Sequence, residues 1–153
     1  MAKDVYLTRE GKARFEAELH ELITVSRREV EDRIRSAVEL ADGIDDAEAI
    51  MARQDQAFVE GRIQEIERVL ANAEIIEEPR SSDYVRLGSH VTVTSSDGDE
   101  TYQIVGSPQA DPRGGLVSNE SPIGRALLGK RVGDDVTIVA PAGSFDVTIK
   151  AIN

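Results

Sequence analysis

The chain has 153 residues, no Cys, no Trp and a formal net charge of −11. Those counts exclude disulfides, thiolate chemistry and Cys-based zinc sites. They also argue against free nucleic acid as the main partner, because a duplex presents dense negative charge of its own. Apolar residues make up 40% of the chain and aromatics only 4%, so a core must rest on Leu, Ile, Val and Ala. Charged residues at 31% suit long exposed helices. Acid is concentrated early: residues 1–78 carry 20 Asp or Glu against 11 Lys or Arg, whereas 79–153 carry 9 against 7. The N-terminal half therefore suits a basic or metal-bearing surface. The N-terminus lacks a signal-peptide core and no apolar run approaches a membrane span, so a cytoplasmic location is expected.

In chain order, Thr8 is a candidate N-cap with Leu7 as its hydrophobic staple. A long Pro-free stretch follows. Its apolar residues Phe15, Leu19, Leu22, Val30, Ile34 and Ala37 fall mostly three or four apart, as on one face of a helix. The stripe slips near 26–29, as a stutter would make it do. A helix over 8–41 would be roughly 50 Å long, and pairing with a second helix is the usual way to support such a rod. Residues 47–70 supply that partner stripe, with Gly61 expected where the two helices approach closely. Between them, Gly43 can end the first helix and Asp45 or Asp46 can cap the second, with Glu48 in its first turn. So short a turn makes the helices antiparallel neighbours.

Composition changes after Asn72, and Pro79 marks a linker. Two domains are expected, 1–78 and 79–153. The second alternates as strands do. Val91 and Val93 lead to an Asp97-Gly98 turn, and Tyr102, Ile104 and Val105 return. Residues 106–115 hold two Pro and three Gly and read as loop. A short helix over 123–128 has Ser121 as cap and Pro122 at its first position. Two further strands, 136–139 and 145–149, complete an α+β chain: an antiparallel coiled-coil hairpin, then a small, mostly antiparallel sheet with one short helix.

Three stretches resemble the bacterial Gre transcript-cleavage factors: 52–63 (ARQDQAFVEGRI), 70–76 (LANAEII) and, above all, 118–130 (SNESPIGRALLGK). The resemblance spans nearly the whole chain. It implies an FKBP-like second domain that holds the rim of the RNA polymerase secondary channel through Ser118, Asn119, Glu120, Ser121, Pro122, Ile123 and Arg125. It implies a coiled coil that enters the channel and acids at its tip, Asp42, Asp45, Asp46 and Glu48, that act on the polymerase active centre. Asp42 and Asp45 would share the polymerase's Mg²⁺, with no cofactor held by the chain alone. Nascent RNA would be met only at its 3′ end inside the complex, the chain would be a monomer binding little free nucleic acid and no membrane, and it would not itself be an enzyme.

The tip departs from the family pattern, which reads approximately Gly-Asp-Leu-Lys/Arg-Glu-Asn followed by Ala-Glu-Tyr. Asp42 matches the first tip acid, and Asp45 falls on the second, one methylene shorter. Gly43 replaces the Leu, Ile44 the base, Asp46 the Asn and Ala49 the aromatic. Since Mg²⁺ demands near-ideal octahedral geometry, this pattern is expected to favour inhibition of nucleotide addition over cleavage. The alternatives are a Mg²⁺-dependent cleavage factor, a structural coiled-coil adaptor and a peptidyl-prolyl isomerase. The last is opposed by the few aromatics (Tyr84, Tyr102, Phe145) available for a proline pocket.

Overall fold

Thr8 ends a short strand and caps the helix that follows, its Oγ1 accepting the Gly11 N–H at 3.0 Å. The structure, a computed structural model, describes residues 5–40, 47–77 and 83–153. Within them, β1 (Val5–Thr8) leads into α1 (Arg9–Glu21), a π-helical segment (Leu22–Ser26), α2 (Arg27–Leu40) and α3 (Ala47–Asn72). Two compact units result. One is Lys12–Asn72; the other comprises the described residues of Met1–Gly11 and Ala73–Asn153. These bounds differ from 1–78 and 79–153, because two strands at the ends of the helical segment pack with the sheet.

In the helical unit α2 and α3 pair through Val30, Val59 and Ile63, with Leu19, Leu22 and Ile34 against them. Two bidentate ion pairs flank this seam. Arg27 binds Glu60 at 2.7 and 2.9 Å, and Arg62 binds Glu18 at 2.7 and 2.9 Å. The π segment explains the slip in the apolar stripe. Phe15, Leu19 and Leu22 are followed by Val30, Ile34 and Ala37, fifteen residues further on and not the fourteen of two heptads. A π turn takes up one extra residue, so both triplets stay on the same face. Gly61 does not serve close packing: it is exposed, and a Cβ placed there would meet nothing within 4 Å.

In the second unit β2 (Ala73–Ile76) pairs in parallel with β1, Val5 opposite Ala73 and Thr8 opposite Ile76. The main sheet has the order β5-β4-β3-β7-β6, from β3 (His90–Ser95), β4 (Gly98–Val105), β5 (Leu116–Ser118), β6 (Asp135–Ala140) and β7 (Gly143–Ile152). The β3–β4 hairpin turns at Ser96 and Asp97, and Gly98 takes the positive φ (113°) that opens the returning strand. All main-sheet pairings are antiparallel except β4–β5, which is parallel. One face buries Val91, Val93, Ile104, Val136, Ile138 and Ile149, with Leu127 of α4 (Pro122–Leu127) closing the core. The α+β class and the short capped helix are as the sequence indicated. Strands β1, β2 and β5 are additional.

Candidate interaction surfaces

Ser118 ends β5, and the chain turns through Asn119 and Glu120 into α4. Ser121 is the N-cap. Its Oγ accepts the Gly124 N–H at 3.1 Å and donates to the Ser118 carbonyl at 2.7 Å. Pro122 occupies the first helical position, where its missing N–H costs nothing. Gly124 is held so close that a Cβ there would lie 1.9 Å from the Ser118 carbonyl oxygen. The turn is thus locked from both ends. Ser118 Oγ also accepts the Glu120 N–H at 3.0 Å, and the Asn119 N–H reaches the Val105 carbonyl at 2.9 Å.

Glu120, Pro122 and Arg125 are exposed on this turn and helix. Ser118, Asn119, Ser121 and Ile123 are half-buried, Ile123 packing on the sheet core. The seven residues expected to dock a partner therefore form one contiguous presented feature, in which Ser121 and Ile123 hold the shape that Glu120, Pro122 and Arg125 display.

Ser107, within the Pro- and Gly-rich stretch 106–115, organises this feature from below. Ser107 begins a 3₁₀ turn, Ser107–Gln109. Its hydroxyl donates to Glu120 Oε2 at 2.9 Å and lies 2.8 Å from Ser118 Oγ. With its single proton committed to the carboxylate, Ser107 accepts from Ser118. Two residues on, Gln109 is buried and reaches across to Thr8. Its Oε1 accepts the Thr8 N–H at 3.0 Å, and its Nε2 donates to Thr8 Oγ1 at 2.7 Å. No periodicity marks Gln109. The only signal available was the unusual density of Pro and Gly around it.

Of the expected tip acids, Asp42, Asp45 and Asp46 lie outside the described residues. Glu48 stands exposed in the first turn of α3 and lines a cavity of about 510 Å³ with Asp32, Arg33, Ser36, Ala37 and Met51. Among the described residues no group of three or more His, Asp or Glu could hold a metal ion. None of their helices is long and apolar enough to cross a membrane.

Two family models match the chain: the N-terminal domain of transcription elongation factors over residues 5–75, and the GreA/GreB C-terminal domain over 80–153. The transcription elongation factor GreA of Roseiflexus sp. (strain RS-1) is 51% identical over 150 residues, 96% of either chain. That of Bacillus subtilis (strain 168) is 46% identical over 149 residues, 96% of this chain and 95% of the relative. Among solved structures, the transcription factor Gfh1 is 32% identical with a TM-score of 0.50, covering 100% of this chain and 99% of its own.

These relatives overturn one expectation, that the chain is no enzyme. They bear the name of the transcription elongation factor GreA, and that expectation does not stand beside them. Matched along both of its halves and at about half identity over nearly its full length, the chain belongs to the GreA/GreB family of transcription elongation factors.

Proposed function

We propose that this chain binds RNA polymerase at the secondary channel and inhibits nucleotide addition more than it promotes RNA cleavage. The docking feature would be the turn and helix start from Ser118 to Arg125, and the acting groups the carboxylates of Asp42, Asp45, Asp46 and Glu48. The observation that carries this reading is a contrast within one sequence. The docking run closely resembles the family and folds into a tightly held turn, whereas the sequence over 42–49 keeps its acids and exchanges their neighbours, with Gly43, Ile44, Asp46 and Ala49 where the family has Leu, a base, Asn and an aromatic.

Carboxylates are the hard oxygen donors that Mg²⁺ takes, so the residue types fit an ion held jointly with the polymerase. Such an ion supplies charge stabilisation and activation of water in phosphoryl transfer. The chain's own part is to place its acids. Asp45, one methylene shorter than Glu, with Gly43 and Ile44 where the family has Leu and a base, would draw the ion without completing the arrangement that hydrolysis needs. No Lys or Arg lies within 36–52 to compete for those acids.

The second reading, a factor that rescues backtracked complexes by cleavage, is favoured by the relatives at 46–51% identity that carry the GreA name. Titrating core polymerase with the full-length protein, beside a Ser121→Ala/Pro122→Ala variant, tests the part common to both. Saturable binding that the variant weakens supports the docking assignment. Undiminished binding by the variant would remove it.

A further inference from the structure

The 3₁₀ turn Ser107–Gln109 is gripped at both ends by bare backbone. A Cβ on Gly106 would lie 2.1 Å from the Tyr6 carbonyl oxygen, and one on Gly11 would lie 2.3 Å from Gln109 Oε1. Only glycine at those positions lets the turn sit against β1 and against the first turn of α1. Once there, its two polar side chains point to different tasks. Ser107 holds the carboxylate of Glu120 and the hydroxyl of Ser118 in the docking turn. Gln109 saturates Thr8, the N-cap of α1, which lies 101 positions away in sequence. A cavity of about 300 Å³ lies beside Ser107 and Glu120, bounded also by Val5, Tyr6, Pro108 and Asn119.

A buried amide making two directed bonds to one residue fixes that residue more narrowly than apolar packing does, because any displacement strands a donor and an acceptor away from water. Gln109 is 8% exposed and Thr8 1%. The same three-residue turn thus fixes both the docking surface and the point at which the helix starts.

We propose that Gln109 is a positioning residue: through Thr8 it ties the first turn of α1 to the turn that carries the docking contacts, so that a docked chain starts its helix in one defined place. This rests on the docking assignment made above. It predicts a separation between binding, which the docking turn supplies, and the effect exerted once bound, which depends on the fixed helix start at Thr8.

The test uses full-length Gln109→Met, which keeps length and removes the amide, with Thr8→Val and Thr8→Ser as a matched pair. Each is titrated onto core RNA polymerase, and its effect at saturation is read on nucleotide addition or RNA cleavage, whichever the wild type changes. Gln109→Met and Thr8→Val should bind within about threefold of wild type and lose about fivefold or more of the effect at saturation, roughly the population shift expected from one lost cap or buried hydrogen bond. Thr8→Ser, which keeps the hydroxyl, should retain the effect. Where Gln109→Met does not fold, Thr8→Val read against Thr8→Ser makes the same comparison.

A variant that melts lower yet keeps the full effect at saturation overturns the proposal, since Gln109 would then only stabilise the fold. A loss of affinity in step with the loss of effect also overturns it, placing Gln109 in docking. Wild-type protein that fails to bind polymerase overturns the docking assignment itself, a result distinct from either of these.

Discussion

At the scale of single residues the chain separates groups chosen for packing from groups whose identity the fold does not need. Gly61 belongs to the second kind. It lies inside α3 with open space where a Cβ would be, so it brings only the entropic penalty of glycine. Gly61→Ala should therefore stabilise the chain by about 0.5–1 kcal/mol, read from the urea midpoint. A loss of stability would show that the position needs its missing side chain.

Glu60 is of the first kind. Its hydrogen bond from Arg27 holds the carboxyl below the ordinary value of 4.5, with partial burial opposing. A depressed carboxylate contributes stability that is fully present above the unfolded value and lost as pH falls through the folded one. Helical stability should thus decline from about pH 4.5 downward, and Glu60→Gln should flatten that decline. Thermal melts of both proteins between pH 3 and 7, followed by circular dichroism, measure it. Equal slopes would dismiss the pair as a contributor, as happens for many exposed bridges.

Among elements, the helices were legible because their apolar residues recur at helical spacing and their caps carry the right side chains. Thr8, Ser121 and Pro122 all occupy the positions their chemistry favours. The slip in the first stripe was also visible, but not its form: it is a π segment at Leu22–Ser26, slightly before the expected place. The segment explains a specific tolerance. Deleting Thr24 removes the residue that the π turn absorbs, so Val30, Ile34 and Ala37 stay in phase with Phe15, Leu19 and Leu22. Deleting Glu31 shifts Ile34 and Ala37 by about 100° around the helix. Circular dichroism melts should show the first variant near wild type and the second clearly destabilised. The reverse order would refute the accommodation.

Strands β1, β2 and β5 were not legible. Each has only three or four residues, too few for alternation to declare itself, and β1 and β2 pair across 68 positions of sequence.

For the molecule as a whole, that distant pairing alters what a domain means. Residues 5–11 belong with the sheet, where Leu7 and Thr8 are buried and Thr8 supplies both partners of Gln109. Sequence alone placed the boundary near Pro79 and implied that 79–153 would fold and dock unaided. That fragment lacks Thr8, so the buried Gln109 amide would lose both of its partners in it. Residues 79–153 alone should show faster amide exchange at Val105, Asn119 and Gln109 than the full chain. Equal protection would restore the simpler division.

The capped helix start was readable from sequence because Ser-Pro there has a direct physical meaning, whereas its docking role is implied by the family resemblance alone. Ser107 and Gln109 were not, since their roles come from tertiary approach across glycines and leave no local pattern.

Inhibition and cleavage both turn on the tip acids, and a single comparison separates them. Wild-type protein and a variant with Asp42→Asn, Asp45→Asn, Asp46→Asn and Glu48→Gln are each brought to saturation on polymerase. Single-nucleotide addition and cleavage of backtracked RNA are then followed over a range of Mg²⁺ concentrations. Wild type should slow addition with little cleavage, the slowing should vary with Mg²⁺, and the variant should bind with similar affinity yet lose most of the slowing. Wild-type protein that accelerates cleavage while leaving addition untouched would contradict this expectation, and Asp42 and Asp45 would then be the pair that serves hydrolysis.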